Sequence, residues 1–119
     1  SGAIVSTGVI NTVSQNEFIS NKSTNGAAIR VNNNAASISF HSNKFAGNAA
    51  SGNGGAIYNE KSNSLKFLND EFLNNTATAN GGAIYNAGNL SLIENTIFTS
   101  NSASQNGGAI YNKGENLSV

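Results

Sequence analysis

The chain contains no cysteine, proline, methionine or tryptophan, and only 10% of its 119 residues are charged. Without cysteine it cannot form a disulfide, a thiolate metal site or a cysteine nucleophile. Its six basic residues balance six acidic ones. This balance argues against nucleic acid or an anionic membrane as a partner, because both require a basic surface. Apolar runs are short, so the sequence predicts no membrane span in this segment.

Asparagine and glycine are abundant instead, with 23 and 13 copies, and they belong to motifs that recur at a fixed spacing. Gly-Gly-Ala-Ile-Tyr-Asn occurs three times, and looser copies extend the series to five isoleucines separated by 25, 28, 27 and 26 residues. A second motif, Phe-x-x-Asn, occurs four times with steps of 27, 27 and 26 residues. Two independent motifs that share one period indicate a repeat architecture of stacked coils.

Each period contains three short apolar segments that favour β-structure and are bounded by asparagine, serine and glycine. The sequence therefore predicts an all-β fold, a right-handed parallel β-helix (β-solenoid) of about 4.5 coils, each of ~27 residues with three short strands. Asn-Gly pairs before the first strand supply residues that tolerate positive φ at a corner. Residues 1–119 are interpreted as a single β-helical repeat domain, either a segment of a longer solenoid or a stacking fibre subunit.

Residues one period apart should lie above one another, which predicts inward apolar columns and asparagine ladders at the corners. The inward columns are Ile4, Ile29, Ile57, Ile84 and Ile110; Phe18, Phe45, Phe72 and Phe98; and Val13, Phe40, Phe67 and Ile93. The asparagine ladders are Asn21, Asn48, Asn75 and Asn101, and Asn59, Asn86 and Asn112.

Strand alternation places a column of aromatic residues on the outer surface. Tyr58, Tyr85 and Tyr111, with Arg30 in the same column, form the candidate binding surface. Such a column can contact sugar rings or another protein, and the alternative is that these tyrosines only stabilise the stack of strands. We expect an alanine column to share this outer face and to allow close approach of a neighbour, namely Ala28, Ala56, Ala83 and Ala109.

Ionisable side chains do not converge on a catalytic or metal site in the sequence. His41 is the single histidine, and a metal site needs several ligands. Asp70 and Glu71 are adjacent, so they should point to opposite faces of a strand and make a poor acid–base pair. The residue before each phenylalanine is Glu17, Lys44 or Glu71 in the first three coils, which predicts alternating charges between coils. We therefore expect no cofactor and no enzymatic activity.

The combination of Gly-Gly-Ala-Ile and Phe-x-x-Asn resembles the repeat of the chlamydial polymorphic membrane proteins and related autotransporter passengers. It is carried by residues 54–57, 81–84 and 107–110, together with Phe45/Asn48, Phe72/Asn75 and Phe98/Asn101. The first two coils depart from the pattern, since Ala27 replaces the second glycine and Val5 or Arg30 replaces tyrosine. The resemblance implies a secreted β-helical passenger that serves in adhesion.

The leading functional prediction is a structural or adhesive module at the cell surface, outer-membrane-associated if it belongs to an autotransporter, that presents a rigid binding surface. Its partner would be a host or neighbouring-cell surface protein or glycan, or copies of itself. The alternative is a self-assembling extracellular fibre subunit whose coils stack end to end. A polysaccharide-active β-helix enzyme is the third reading, and the dispersed carboxylates argue against it.

Overall fold

The computed structural model describes residues 3–6, 12–31, 37–60 and 64–113, and within these ranges the chain forms strands and no helix. Seventeen short strands follow one another along the chain. They are β1 Ile4–Ser6, β2 Thr12–Ser14, β3 Glu17–Ile19, β4 Lys22–Ser23, β5 Ile29–Val31, β6 Ser37–His41, β7 Lys44–Ala46, β8 Ala49–Ala50, β9 Ile57–Asn59, β10 Ser64–Leu68, β11 Glu71–Leu73, β12 Thr76–Ala77, β13 Ile84–Asn86, β14 Asn89–Glu94, β15 Ile97–Thr99, β16 Ser102–Ala103 and β17 Ile110–Asn112.

These strands associate into four parallel sheets, each with one strand from every coil. Sheet A contains β1, β5, β9, β13 and β17; sheet B contains β2, β6, β10 and β14; sheet C contains β3, β7, β11 and β15; and sheet D contains β4, β8, β12 and β16. Equivalent residues pair in register, as Ile57 does with Ile84 and Phe45 with Phe72. The predicted parallel β-solenoid is confirmed, and the right-handed sense of its winding stays a prediction.

The prediction of three strands in each coil is wrong, because the coil has four. After the Phe-x-x-Asn corner the chain extends for two residues and pairs with its neighbours as sheet D, for example Thr76 with Ala49 and Ser102. A pair of residues is too short to show alternation in a sequence, so this strand had no readable pattern. The series of four strands occurs four times and is followed by β17, slightly fewer coils than the predicted number.

The corners of the coil have regular lengths and conformations, except at one place. Two residues separate each sheet B strand from its sheet C strand, and two separate each sheet C strand from its sheet D strand. The first residue of each of these corners has positive φ, and the whole set is Gln15, Ser42, Asn69 and Asn95, then Ser20, Gly47, Asn74 and Ser100. Between sheets A and B the connection varies, with five, five, four and two residues in successive coils.

The core contains the three predicted apolar columns inside the coils, together with Val31, Ile38, Leu65 and buried alanines. Ile29, Ile57 and Ile84 are fully buried, as are Phe45 and Phe72, while Ile4, Ile93, Phe98 and Ile110 are partly buried against the same cluster. Along the phenylalanine column the rings stack nearly parallel, with centroids 4.9, 4.6 and 4.9 Å apart. Phe67 contacts Phe72 edge to face at 5.6 Å and so joins the second and third columns.

The alanine column does not share the outer face, and that expectation was wrong. Ala28, Ala56 and Ala83 are fully buried in the core. The backbone N–H groups of Ala56 and Ile57 both donate to the carbonyl of Ala83, at 2.8 and 2.9 Å. Because two successive amides share one acceptor, the chain bends there and does not alternate like a strand, and both side chains point inward.

Candidate binding surface

Three outward tyrosines form a continuous column along sheet A, which we call the tyrosine ribbon (Tyr58, Tyr85 and Tyr111). They occupy the middle position of β9, β13 and β17, where both neighbours point into the coil. Their ring centroids are 5.0 and 5.3 Å apart and the ring planes differ by 22° and 17°. All three side chains are half-buried, so the strand positions predicted from the sequence present aromatic surface to the solvent.

Arg30 continues this column on β5, and its guanidinium carbon lies 5.9 Å from the Tyr58 ring centroid. Its Nε donates a hydrogen bond to Oε1 of Glu60 at 2.9 Å, which forms an ion pair on the surface. Burial, and secondarily the Glu60 carboxylate, raise the pKa of the Tyr58 hydroxyl above its ordinary value. Tyr58 therefore remains a hydrogen-bond donor throughout the neutral range, next to a fixed cation and a fixed anion.

Stacking determines which part of each tyrosine a ligand can reach. Tyr85 has another ring against each face, and Tyr58 has Tyr85 on one face and Arg30 near the other. A sugar ring cannot enter a gap of 5.0 Å between two aromatic planes. The accessible groups are the ring edges and the hydroxyls, which combine an apolar rim with donors and acceptors. At Tyr58 and Tyr85 the stack therefore offers ring edges and hydroxyls, and not ring faces, to a ligand.

The predicted asparagine ladder is confirmed and lies at the corner between sheets C and D. Asn48 and Asn75 are fully buried at the corner after the phenylalanine column. The Asn48 Nδ2 donates to Oδ1 of Asn75 at 2.9 Å and to the carbonyl of Phe18 at 3.0 Å. The Asn48 backbone N–H donates to the same Oδ1 at 3.1 Å. Each amide thus joins three successive coils, and Asn21 and Asn101 extend the ladder in both directions.

The second predicted ladder also forms, at the end of the sheet A strands. The Asn59 Nδ2 donates to Oδ1 of Asn86 at 2.8 Å, and the Asn86 Nδ2 donates to Oδ1 of Asn112 at 3.0 Å. Asn59 and Asn86 are fully buried, directly after the tyrosines. These side-chain hydrogen bonds join the end of each tyrosine-bearing strand to the next coil. They keep the strands in register, and the strand spacing sets the distance between the tyrosines.

The sequence interpretation missed a third polar column on the corner before the phenylalanines, formed by Asn16, Asn43, Asp70 and Thr96. Asn43 donates to Oδ1 of Asp70 through its backbone N–H at 2.8 Å and its Nδ2 at 2.9 Å, and the Leu68 N–H donates to Oδ2 at 3.0 Å. Asp70 is buried, and this burial raises the pKa of its carboxyl despite the hydrogen bonds. A polar residue two places before every phenylalanine was the signal that could have revealed this column.

The charged column on the surface of sheet C has the predicted register but no ion pair. Glu17 pairs with Lys44 and Lys44 with Glu71, yet the one ion pair in the described ranges is between Arg30 and Glu60. Glu17, Lys44 and Glu71 line an open polar groove of about 420 Å³. Because Asp70 is buried and Glu71 lies in this groove, the two acids face different environments.

His41 is exposed, and no group of acidic or histidine side chains in the described chain could hold a metal.

Comparison with known families finds one family model that matches two segments of the chain. Residues 71–87 and 95–113 match the family model described as the Chlamydia polymorphic membrane protein repeat. These two adjacent segments of the chain resemble that repeat. The two matched segments each run from the sheet C strand through the tyrosine strand of sheet A, so they include Tyr85 and Tyr111. No curated protein and no solved structure matches the chain.

The repeat and the solenoid fold together fit a structural module of a surface protein family. The first matched segment begins at Glu71, and Asp70 lies just before it. Within the described ranges, no helix is long and apolar enough to span a membrane.

Proposed function

We propose that the chain is an adhesive surface module, a rigid β-solenoid that presents the tyrosine ribbon and Arg30 to a partner outside the cell. The observation that carries this proposal is the ribbon itself, three stacked and half-buried tyrosines on one face of a solenoid with polymorphic membrane protein repeats. Tyrosine is enriched at protein-binding surfaces, because it offers large area and a polar hydroxyl at low entropic cost.

Rigidity supports the proposal, because a rigid scaffold lowers the entropic cost of binding. Coils are joined by four sheets and by polar columns at their corners, and no buried side-chain nitrogen or oxygen in the described part of the chain lacks a hydrogen-bond partner. The tyrosines themselves are held in register by the Asn59–Asn86 hydrogen bond that follows them. The ribbon is therefore preorganised, and little freedom remains to be lost on contact.

The favoured partner is a surface protein of a host or neighbouring cell. Ring edges, hydroxyls and the Arg30 guanidinium can meet the mixed apolar and polar surface of a protein. A glycan partner would need exposed ring faces, which the stacking covers on both sides of Tyr85. Cell-surface placement, at the outer membrane if the repeats form part of an autotransporter passenger, rests on the family match.

Binding to intact cells tests the proposal with a matched pair of variants. Beads coated with the chain would be counted on host cells and on bacterial cells. The variant in which Tyr58, Tyr85 and Tyr111 become serine should bind at least about tenfold less, since central aromatic residues dominate protein contacts. The control changes Ile19 and Leu73 to serine on sheet C, where Ile19 is 49% exposed and Leu73 is half-buried.

Two measurements make the result decisive. Thermal melts must show that both variants remain folded, and electron microscopy of the purified chain must show single particles. Filaments would instead support the fibre-subunit alternative, in which the partner is a second copy of the chain. If the tyrosine variant is folded and still binds as well as the control, the ribbon is not the binding surface.

A further inference from the structure

Asn-x-Ser/Thr, the acceptor sequence for N-linked sugars, occurs four times along the chain. The four tripeptides begin at Asn21, Asn74, Asn89 and Asn116. The structure describes all three side chains of the first two, Asn21-Lys22-Ser23 in the first coil and Asn74-Asn75-Thr76 in the third. Such tripeptides arise readily by chance among 23 asparagines, so the fold has to decide which of them can accept a sugar.

Asn74 lies at the corner between sheets C and D, with described coils on both sides of it. It has φ of 55°, a conformation that asparagine tolerates better than most residues. Its backbone N–H donates to the carbonyl of Thr99 in the following coil at 2.9 Å, and the carbonyl of Leu73 accepts from the N–H of Gly47 in the preceding coil at 2.9 Å. The Asn74 side chain is nevertheless exposed, and it makes no hydrogen bond within the described part of the chain.

The side chains of this tripeptide alternate between the outside and the inside of the coil. Asn74 and Thr76 are exposed, while Asn75 between them is fully buried in the amide ladder. Thr76 pairs with Ala49 and Ser102, so small side chains flank it in both neighbouring strands. The asparagine amide and the threonine hydroxyl, the two groups that define the acceptor sequence, are therefore presented together on the outer surface.

The tripeptide of the first coil is shifted by one residue relative to the corner, and this shift reverses its faces. Asn21 is itself the ladder residue, and its Nδ2 donates to Oδ1 of Asn48 at 3.0 Å. The Ser23 hydroxyl donates to the carbonyl of Asn25 at 3.3 Å, and the middle residue Lys22 is exposed instead. Both groups of this tripeptide are thus engaged in hydrogen bonds of the folded chain.

We propose that Asn74 is an acceptor site for an N-linked sugar and that the fold disfavours Asn21. In the transfer, Nδ2 of Asn74 forms a bond to the anomeric carbon of an activated sugar, and the bond from that carbon to the phosphate leaving group breaks. A base of the transferase takes the proton from Nδ2. No hydrogen bond of the amide ladder has to open for this reaction. The site is separate from the tyrosine ribbon, which lies on sheet A.

The experiment treats the purified, folded chain with a soluble N-glycosyltransferase specific for Asn-x-Ser/Thr and a nucleotide-activated hexose, followed by glycopeptide mapping. Asn74 should be modified at least about tenfold faster than Asn21, a factor that corresponds to about 1.4 kcal/mol for releasing the Asn21 hydrogen bonds. Thr76→Ser gives both tripeptides the same form. In this variant the preference for Asn74 should persist in the folded chain and disappear in synthetic peptides that carry the two tripeptides.

Two further variants separate the acceptor sequence from its position on the coil. Thr76→Val should abolish modification of Asn74, with thermal melts showing that the chain remains folded. Ser100 occupies the equivalent corner one coil later, with φ of 56°, and it precedes the ladder residue Asn101 and Ser102. Ser100→Asn therefore creates a second tripeptide with the same placement, and this variant should gain a second modified site.

The opposite results would overturn the proposal. An unmodified Asn74 in the folded chain, or equal rates at Asn21 and Asn74 in the Thr76→Ser variant, would show that the fold does not select this acceptor. Modification that survives Thr76→Val would mean that the transferase does not read the tripeptide. A folded Ser100→Asn variant without a second modified site would show that the corner position does not make an acceptor.

Discussion

The solenoid contains two stacked aromatic columns that have similar geometry and different surroundings. The phenylalanine column has ring separations of 4.6–4.9 Å inside the coils, and the tyrosine ribbon has separations of 5.0 and 5.3 Å on the surface. Phe72 is fully buried, whereas Tyr85 is half-buried. Since stacking contributes only about 0.5–1.5 kcal/mol beyond burial, the inner column should dominate stability. The tyrosines of the ribbon can therefore be replaced with a smaller loss of folding stability than the phenylalanines.

The sharpest test of this difference is truncation of one ring in each column. Phe72→Ala should destabilise the chain by about 3–5 kcal/mol, because it removes a buried ring and leaves a cavity between coils. Tyr85→Ala should cost roughly 1 kcal/mol, through lost stacking and cross-strand contact. Urea denaturation of the two variants measures both values, and equal losses would refute the distinction between the columns.

The inner column should also depend on the amide ladder beside it. Asn75→Ala leaves the Asn48 N–H and Nδ2 groups and the Phe45 carbonyl without their partner, so we expect a loss of at least about 3 kcal/mol. The neighbouring exposed Asn74 has φ of 55°, and Asn74→Gly should be nearly neutral. Chemical denaturation compares the pair, and a nearly neutral Asn75→Ala would show that the ladder adds little.

A smaller effect is expected on the other side of the phenylalanines, at Asp70. Burial raises the pKa of this carboxyl, so the folded state binds its proton more tightly than the unfolded chain. The stability that protonated Asp70 contributes is present at low pH, and it is lost as pH rises through the folded-state pKa of this carboxyl. Asp70→Asn should therefore stabilise the chain at pH 8, by about 1 kcal/mol, and this gain should shrink at acidic pH.

The measurement is the difference in unfolding free energy between Asp70→Asn and the wild type from pH 3 to pH 8. His41 lowers the pKa of Asp70, so His41→Gln provides the control for that charge. A gain that is independent of pH would mean that the buried charge is not its cause.

The smallest effect is expected beside the ribbon, at the ion pair of Arg30 and Glu60. Their side chains are 37% and 24% exposed, so solvent screens the pair. Glu60→Gln should change stability by less than about 0.5 kcal/mol. Thermal melts at low and high salt check this value. A larger, salt-dependent loss would show that the tyrosine face also contributes to the fold.

The columns were predictable because the period of the sequence equals the register of the sheets. Ile57 and Ile84 or Phe45 and Phe72 occupy equivalent positions in their motifs, and in a parallel stack such residues must lie above one another. The outward direction of Tyr85 followed from strand alternation in the same way. What the ribbon binds was not predictable, because a partner is recognised by shape and chemistry outside this chain.

Sequence reasoning failed where the backbone does not alternate. Ala56 precedes a strand and was assigned by alternation to the outer face, but a shared carbonyl acceptor bends the chain and turns it inward. The sheet D strand of Thr76 and Ala77 has too few residues to show a period. Asp70 was considered as a possible acid, whereas it takes the place of an asparagine in a buried column.

The unequal connections between sheets A and B have a consequence for how such a chain can diverge. They contain two to five residues, whereas the corners on either side of sheet C always contain two. At the shortest of these connections the register of sheet B shifts by one residue, between Leu65 and Lys66, and the pairing is regular again from Phe67 onward. The corner directly follows the strands that carry Tyr58 and Tyr85. Evolution can therefore remodel the border of the exposed face from coil to coil while the scaffold that supports it is inherited intact.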